Sequence, residues 1–185
     1  MAQYEEPKYT LIQSSGNIEV RYYEPILVAE TVVDGARSEA ANNAFSILAN
    51  YIFGANTTST SIAMTAPVTQ FQQGEEITMT APVLQTGEPT RWVVQFIMPA
   101  KYTLATLPKP RDTKITIRAI PSKRVAAIQF SGIATEQNTR ENEAKLRSYL
   151  HEQGLSISDK AVYAYYDGPF TLPILRRNEV MFNLS

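Results

Sequence analysis

Moved along itself by 97 positions, this chain begins to repeat, and no other feature limits its fold as much. Ile18-Glu19-Val20-Arg21 falls on Ile115-Thr116-Ile117-Arg118, Val28-Ala29 on Val125-Ala126, Gly35 on Gly132, and Ser38-Glu39 on Thr135-Glu136. Two copies of one plan, with halves at about 6–100 and 111–185, is the economical reading. Ser38 and Thr135 stand where a helix should begin: a hydroxyl accepts from an unpaired N–H there, and an acid in the first turn suits the positive end of the helix dipole. The apolar spacing of Ala40, Ala44, Ile47, Leu48, Tyr51 and Ile52 predicts a helix over 39–53, stopped by Gly54. Leu146, Tyr149 and Leu150 mark the buried stripe of a second, more charged helix over 136–153, stopped by Gly154.

Around these helices the chain alternates or runs short and β-branched. Strands are expected at 9–13, 18–22, 27–33, 68–71, 77–83, 92–98, 115–120, 125–130, 162–166 and 179–183. Each half then reads strand, strand, helix, strands. That order argues α+β with a mostly antiparallel sheet, and the Pro-rich stretch 99–110 links the halves without separating domains.

A second repetition is shorter. Met64-Thr65-Ala66-Pro67-Val68 recurs as Met79-Thr80-Ala81-Pro82-Val83, fifteen positions on. In an extended strand Met64, Ala66 and Val68 share a face, and proline, which cannot donate to a ladder, puts each phrase at an edge, a bulge or a strand end. Met64 and Met79 then read as ordinary core, as the adaptable lining of an apolar pocket, or as thioether ligands to a heme iron.

Composition closes several routes. Zero Cys removes disulfides, thiolate metal sites and thiol nucleophiles, and a single histidine, His151, excludes a Ser-His-Asp triad or a multi-histidine metal site within one chain. His151 falls in the last turn of the second helix, where it either caps free carbonyls or serves as one axial ligand to heme iron. A net charge of -1 with scattered basic residues gives no field for nucleic acid. No eighteen-residue apolar run spans a membrane and the acidic start is no signal peptide as written, so a cytoplasmic protein is expected, favoured as a monomer; a removed leader would leave the same sequence.

Near the end, Gly168 and two prolines make an irregular loop that runs into Arg176-Arg177 and a strand. Paired guanidiniums suit a ligand with carboxylate tails, or else one of them pairs with an internal acid such as Glu179. If Glu179 points into a cavity it becomes a candidate general acid or cation-binding group.

Several of these phrases together closely resemble the SOUL / heme-binding protein family. They are Ser61-Ile62-Ala63-Met64-Thr65-Ala66-Pro67-Val68, the second Met-Thr-Ala-Pro-Val, Trp92 to Pro99, Tyr102-Thr103-Leu104, Leu107-Pro108-Lys109-Pro110 and Leu175 to Val180, in the family's order from about Glu6 to Leu184. The resemblance implies one pseudo-two-fold domain of duplicated β-β-α-β units, a curved, barrel-like antiparallel sheet of about eight strands with two helices outside. It implies a non-covalent heme or other porphyrin held beside the first helix, by a carrier, buffer or sensor. Carried onto this chain, the cleft takes in Asn42, Phe45, Leu48, Ala49, Ile52, Met64, Met79 and the loop from Phe170 to Arg176 and Arg177. Where heme-binding members place basic residues on that helix, this chain has Asn42 and Asn50. Two alternatives stand beside this: an enzyme that processes heme or a small molecule with Glu179, and an interaction module with a vestigial pocket.

Overall fold

The computed structural model describes residues 4–73, 91–158, 160–168 and 170–185. Met79, the second Met-Thr-Ala-Pro-Val phrase and the strand expected at 77–83 lie outside them. In chain order the elements are β1 (Tyr9–Ser15), β2 (Ile18–Tyr23), β3 (Ile26–Asp34), α1 (Arg37–Ile52), β4 (Val68–Gln72), β5 (Arg91–Ile97), β6 (Thr116–Ile120), β7 (Lys123–Phe130), α2 (Glu136–Glu152), β8 (Val162–Tyr165) and β9 (Asn178–Asn183).

The strands form one sheet in the order β1-β2-β7-β9-β8-β4-β5-β3-β6, every neighbouring pair antiparallel. Without the edge strand β1 the order is a palindrome. Exchanging β2 with β6, β3 with β7, β4 with β8 and β5 with β9 returns the same sheet read backwards. The register obeys the same rule: Ile26 opposite Ile120 becomes Lys123 opposite Tyr23 under the shift of 97. Each half lends its first strand to the other, so the curled sheet of this α+β fold is shared between them. β1 makes a ninth strand where about eight were expected; it pairs with β2 alone and is exposed along its length.

Gly35 and Gly132 recur because both stand at positive φ, +124° and +94°, where a side chain would be strained. Each carbonyl is clamped from an equivalent position on the far strand. Trp92 Nε1 donates to Gly35 O at 3.1 Å, and Asn178 Nδ2 to Gly132 O at 2.9 Å. The turn at Gly35 also moves the first helix start. Ala36 rather than Ser38 is the N-cap of α1, without a side-chain cap, because the turn places Arg37 inside the fold as the first helical residue. In α2 the expected cap is present, Thr135 Oγ1 accepting from Asn138 N at 3.1 Å.

Side chains from the sheet divide cleanly between two faces, as strand alternation requires. One face carries both helices. Ala44, Leu48, Tyr51 and Ile52 of α1 pack on Ala29, Val94 and Phe96, while Leu146 and Leu150 of α2 pack on Val20, Ala126, Ile128 and Phe182. Fully burying each such aliphatic side chain is worth roughly 1.5–3 kcal/mol. Among the described residues the opposite, inner face carries no helix. Its cluster is Tyr23, Ala66, Val125, Ala127, Ala164, Tyr166 and Met181. The 99–110 link packs back on α1, with Leu107 buried and Tyr51 Oη donating to Pro108 O at 2.6 Å.

Candidate functional site

Both α1 and the irregular segment after β8 present apolar side chains to water. Hydrogen bonds anchor the start of α1 and the segment after β8 to the turn before α2. Arg37, the first residue of α1, is buried and donates to Glu136 Oε1 at 3.0 Å, to Tyr165 Oη at 3.0 Å and to Ala134 O at 3.3 Å. Gly132 N in turn donates to Pro173 O at 2.9 Å, which docks the 170–177 segment beside the 131–134 turn. Next to Arg37, β4 and β8 form a paired floor in which Val68 lies opposite Tyr165 and Gln70 opposite Tyr163. Gln70 Nε2 donates to Arg37 O at 2.8 Å and Tyr165 Oη to Gln70 Oε1 at 3.3 Å, so the polar groups of this floor are satisfied within it. Burial pushes the Tyr165 phenol up, partly offset by the Arg37 guanidinium.

The residues singled out from the sequence differ in how they are placed. Leu48 and Ile52 are buried against β3 and β5, with Ala49 nearly so, and Met64 is partly buried on the same cluster. Phe45 is 42% exposed, its ring edge-on to Phe96 at 5.3 Å, and Asn42 is exposed on α1. On the segment after β8 Phe170 is 100% exposed, Leu172 63% and Ile174 78%. Ala66 leaves the face of Met64 and Val68: it belongs to the inner cluster, so the alternation expected of an extended 64–68 strand is not followed. Arg176 Nε donates to Thr171 O at 2.8 Å within the loop. Arg177 turns to the inner face of the sheet, onto Glu6 at 2.6 Å, over the ring of Tyr166 at 3.5 Å and within 3.9 Å of Glu179. His151 is exposed in the last turn of α2, whose buried side meets β7 and β9, away from α1.

Glu179 points inward, but not at an open cavity. Arg21 grips it with two hydrogen bonds, 2.8 and 2.9 Å, and Tyr166 Oη adds a third at 2.7 Å. Burial works to lower the Arg21 pKa, yet the carboxylate outweighs it and the net direction is up. Burial, then Glu179, holds the Tyr166 phenol well above its usual range. The matching position in the first half is Val93, so this charge cluster breaks the internal symmetry. Arg118, which the repeat aligns with Arg21, pairs instead with Glu30 at 2.7 Å nearer the surface.

Beside this cluster the inner face opens into a cleft of about 260 Å³ on the pseudo-two-fold axis, walled by strands of both halves. Tyr23, Phe71, Ile97, Lys123, Val162 and Met181 line it, and sequence reasoning passed over most of them. The signal was available: under the 97 shift Lys123 takes the place of Ile26, a cation where the other half is apolar. Among the described residues no group of three or more His, Cys, Asp or Glu is arranged to hold a metal, and no helix is long and apolar enough to cross a membrane.

Comparison with known proteins adds lineage to this geometry. A family model described as SOUL heme-binding protein matches residues 4–183. Heme-binding protein 2 of Mus musculus is 27% identical over 167 residues, covering 89% of this chain and 77% of its own. Heme-binding protein 1 of Xenopus tropicalis is 33% identical over 165 residues, covering 89% and 82%. Among solved structures the EcmrR C-terminal domain superposes with a TM-score of 0.67 over 96% of this chain and 98% of its own; at 10% identity the likeness is of fold alone.

Proposed function

The chain belongs to the SOUL heme-binding protein family, and from that premise we propose that it binds heme or a free porphyrin non-covalently against α1 and the 170–177 segment, as a carrier or buffer. The observation that carries this reading is the exposed apolar surface on both elements: Phe45 at 42% on α1, Phe170 at 100% and Leu172 at 63% on the segment after β8. Such a concentration of apolar side chains facing water is what a flat apolar ligand covers. Phe45 and Met64 contact one part of the macrocycle and Phe170 and Leu172 another, while Arg176 supplies a guanidinium for its carboxylates. The ligand contributes the planar apolar area; the protein contributes shape and charge.

Iron is not what holds the ligand in this reading. His151 lies at the end of α2, away from α1, and the donors beside α1 are a thioether, phenols and amides. A free porphyrin therefore binds about as well as hemin. Titrations followed by Soret absorbance are expected to saturate for both hemin and protoporphyrin IX with affinities within about threefold. Phe170→Ser with Leu172→Ser weakens both by about tenfold, which corresponds to burial lost at roughly 1.4 kcal/mol. Non-saturating responses for both ligands would refute the proposal, and hemin binding a hundredfold tighter than protoporphyrin would refute its iron-independent basis.

A further inference from the structure

We infer that the inner cleft is a second ligand site, which takes a small amphipathic carboxylate of the medium-chain fatty-acid type with its head at Lys123. The cleft lies on the face of the sheet opposite to α1, so it is separate from the tetrapyrrole surface. Its volume of about 260 Å³ lies just below the usual range of small-molecule pockets, so a ligand smaller than a tetrapyrrole suits it best.

The internal duplication gives the cleft a polar and an apolar end. On one side Lys123 stands opposite Tyr23 in the β2–β7 ladder; at the equivalent place in the β3–β6 ladder stand Ile26 and Ile120. All four line the cavity. Ser158, Asn183 and Lys160 add donors around the Lys123 end, whereas Pro67 and Ile97 continue the apolar end. Symmetry would have made both ends alike, and this chain has made one of them cationic.

Among the described residues Lys123 has no acid paired with it, although Glu24 lies at the cleft mouth. Burial pulls its pKa below the ordinary lysine value, with no opposing carboxylate to restore it. A half-buried ammonium without a counter-ion is costly, and an incoming carboxylate offsets that cost by supplying the partner the fold omits. A neutral ligand gains only from the apolar end, and a cation is repelled.

Calorimetric titration of the full chain with decanoate, decanol and decyltrimethylammonium, each below its micellar concentration, tests this. Decanoate is expected to bind saturably at one site, decanol at least tenfold more weakly, and the ammonium not at all. Lys123→Met should cost decanoate at least tenfold while decanol changes less than twofold, and Lys123→Arg should retain decanoate. Val162→Trp, which fills the cleft, should abolish both. Absent decanoate binding, equal affinity for decanoate and decanol, or undiminished decanoate binding by a folded Lys123→Met protein would each overturn the inference.

Discussion

Arg21 carries a full charge at 4% exposure, and two acids make this tolerable: Glu179, itself at 1%, and Glu19, which accepts from Arg21 Nε at 2.7 Å. Breaking a buried ion pair from one side leaves an uncompensated charge and typically costs about 3–5 kcal/mol, whereas replacing both partners by apolar groups of similar size is often near neutral. Glu179→Gln is accordingly expected to lower the unfolding free energy from urea denaturation by about 3 kcal/mol, the low end of that range because Glu19 still holds Arg21, and Arg21→Met with Glu179→Leu to recover most of it. A Glu179→Gln protein as stable as the parent would show that the cluster is not structural. The sequence presents Glu179 only as an acid beside two arginines; its closest partner lies 158 positions away on β2, which the exchange between halves brings one strand away across β7. Spacing along the chain carries no trace of that contact. Arg177, read either as one of a ligand-facing pair or as the partner of an internal acid such as Glu179, is turned toward Glu6 and Tyr166 with Glu179 at 3.9 Å.

The two helices show how far local rules reach. Apolar periodicity locates α1 and α2 to within a residue or two, because the buried stripe that stabilises each helix is also its sequence signature. Caps are less legible. Thr135 and Ser38 look equivalent under the repeat, yet only Thr135 caps its helix, since the buried contacts of Arg37 draw α1 forward by two residues. Two substitutions measure this difference. Thr135→Ala should destabilise by about 1 kcal/mol, and Ala36→Ser, which adds a hydroxyl at the uncapped N-terminus, should stabilise by about 0.5–1 kcal/mol. Ser38→Ala should change chemical denaturation by less than about 0.5 kcal/mol, as surface substitutions usually do. Equal losses at Ser38 and Thr135 would mean that the caps are alike after all.

At the scale of the molecule, the duplication builds one sheet with two unlike faces. The helix-bearing face was readable from the sequence, because amphipathic helices declare what they cover. The inner face was not, since its lining residues alternate with core residues on the same strands and are distinguishable only once both faces are known to be buried. The tetrapyrrole reading depends on that division, for it assigns the ligand to the surface beside α1 and leaves the inner cleft to something smaller. Amide hydrogen exchange with and without protoporphyrin IX tests it most directly. The expected result is slowed exchange in α1 and in 170–177, with the inner-face positions Val125, Ala127 and Met181 unchanged. Protection confined to those inner-face positions, or none anywhere at saturating porphyrin, would contradict it.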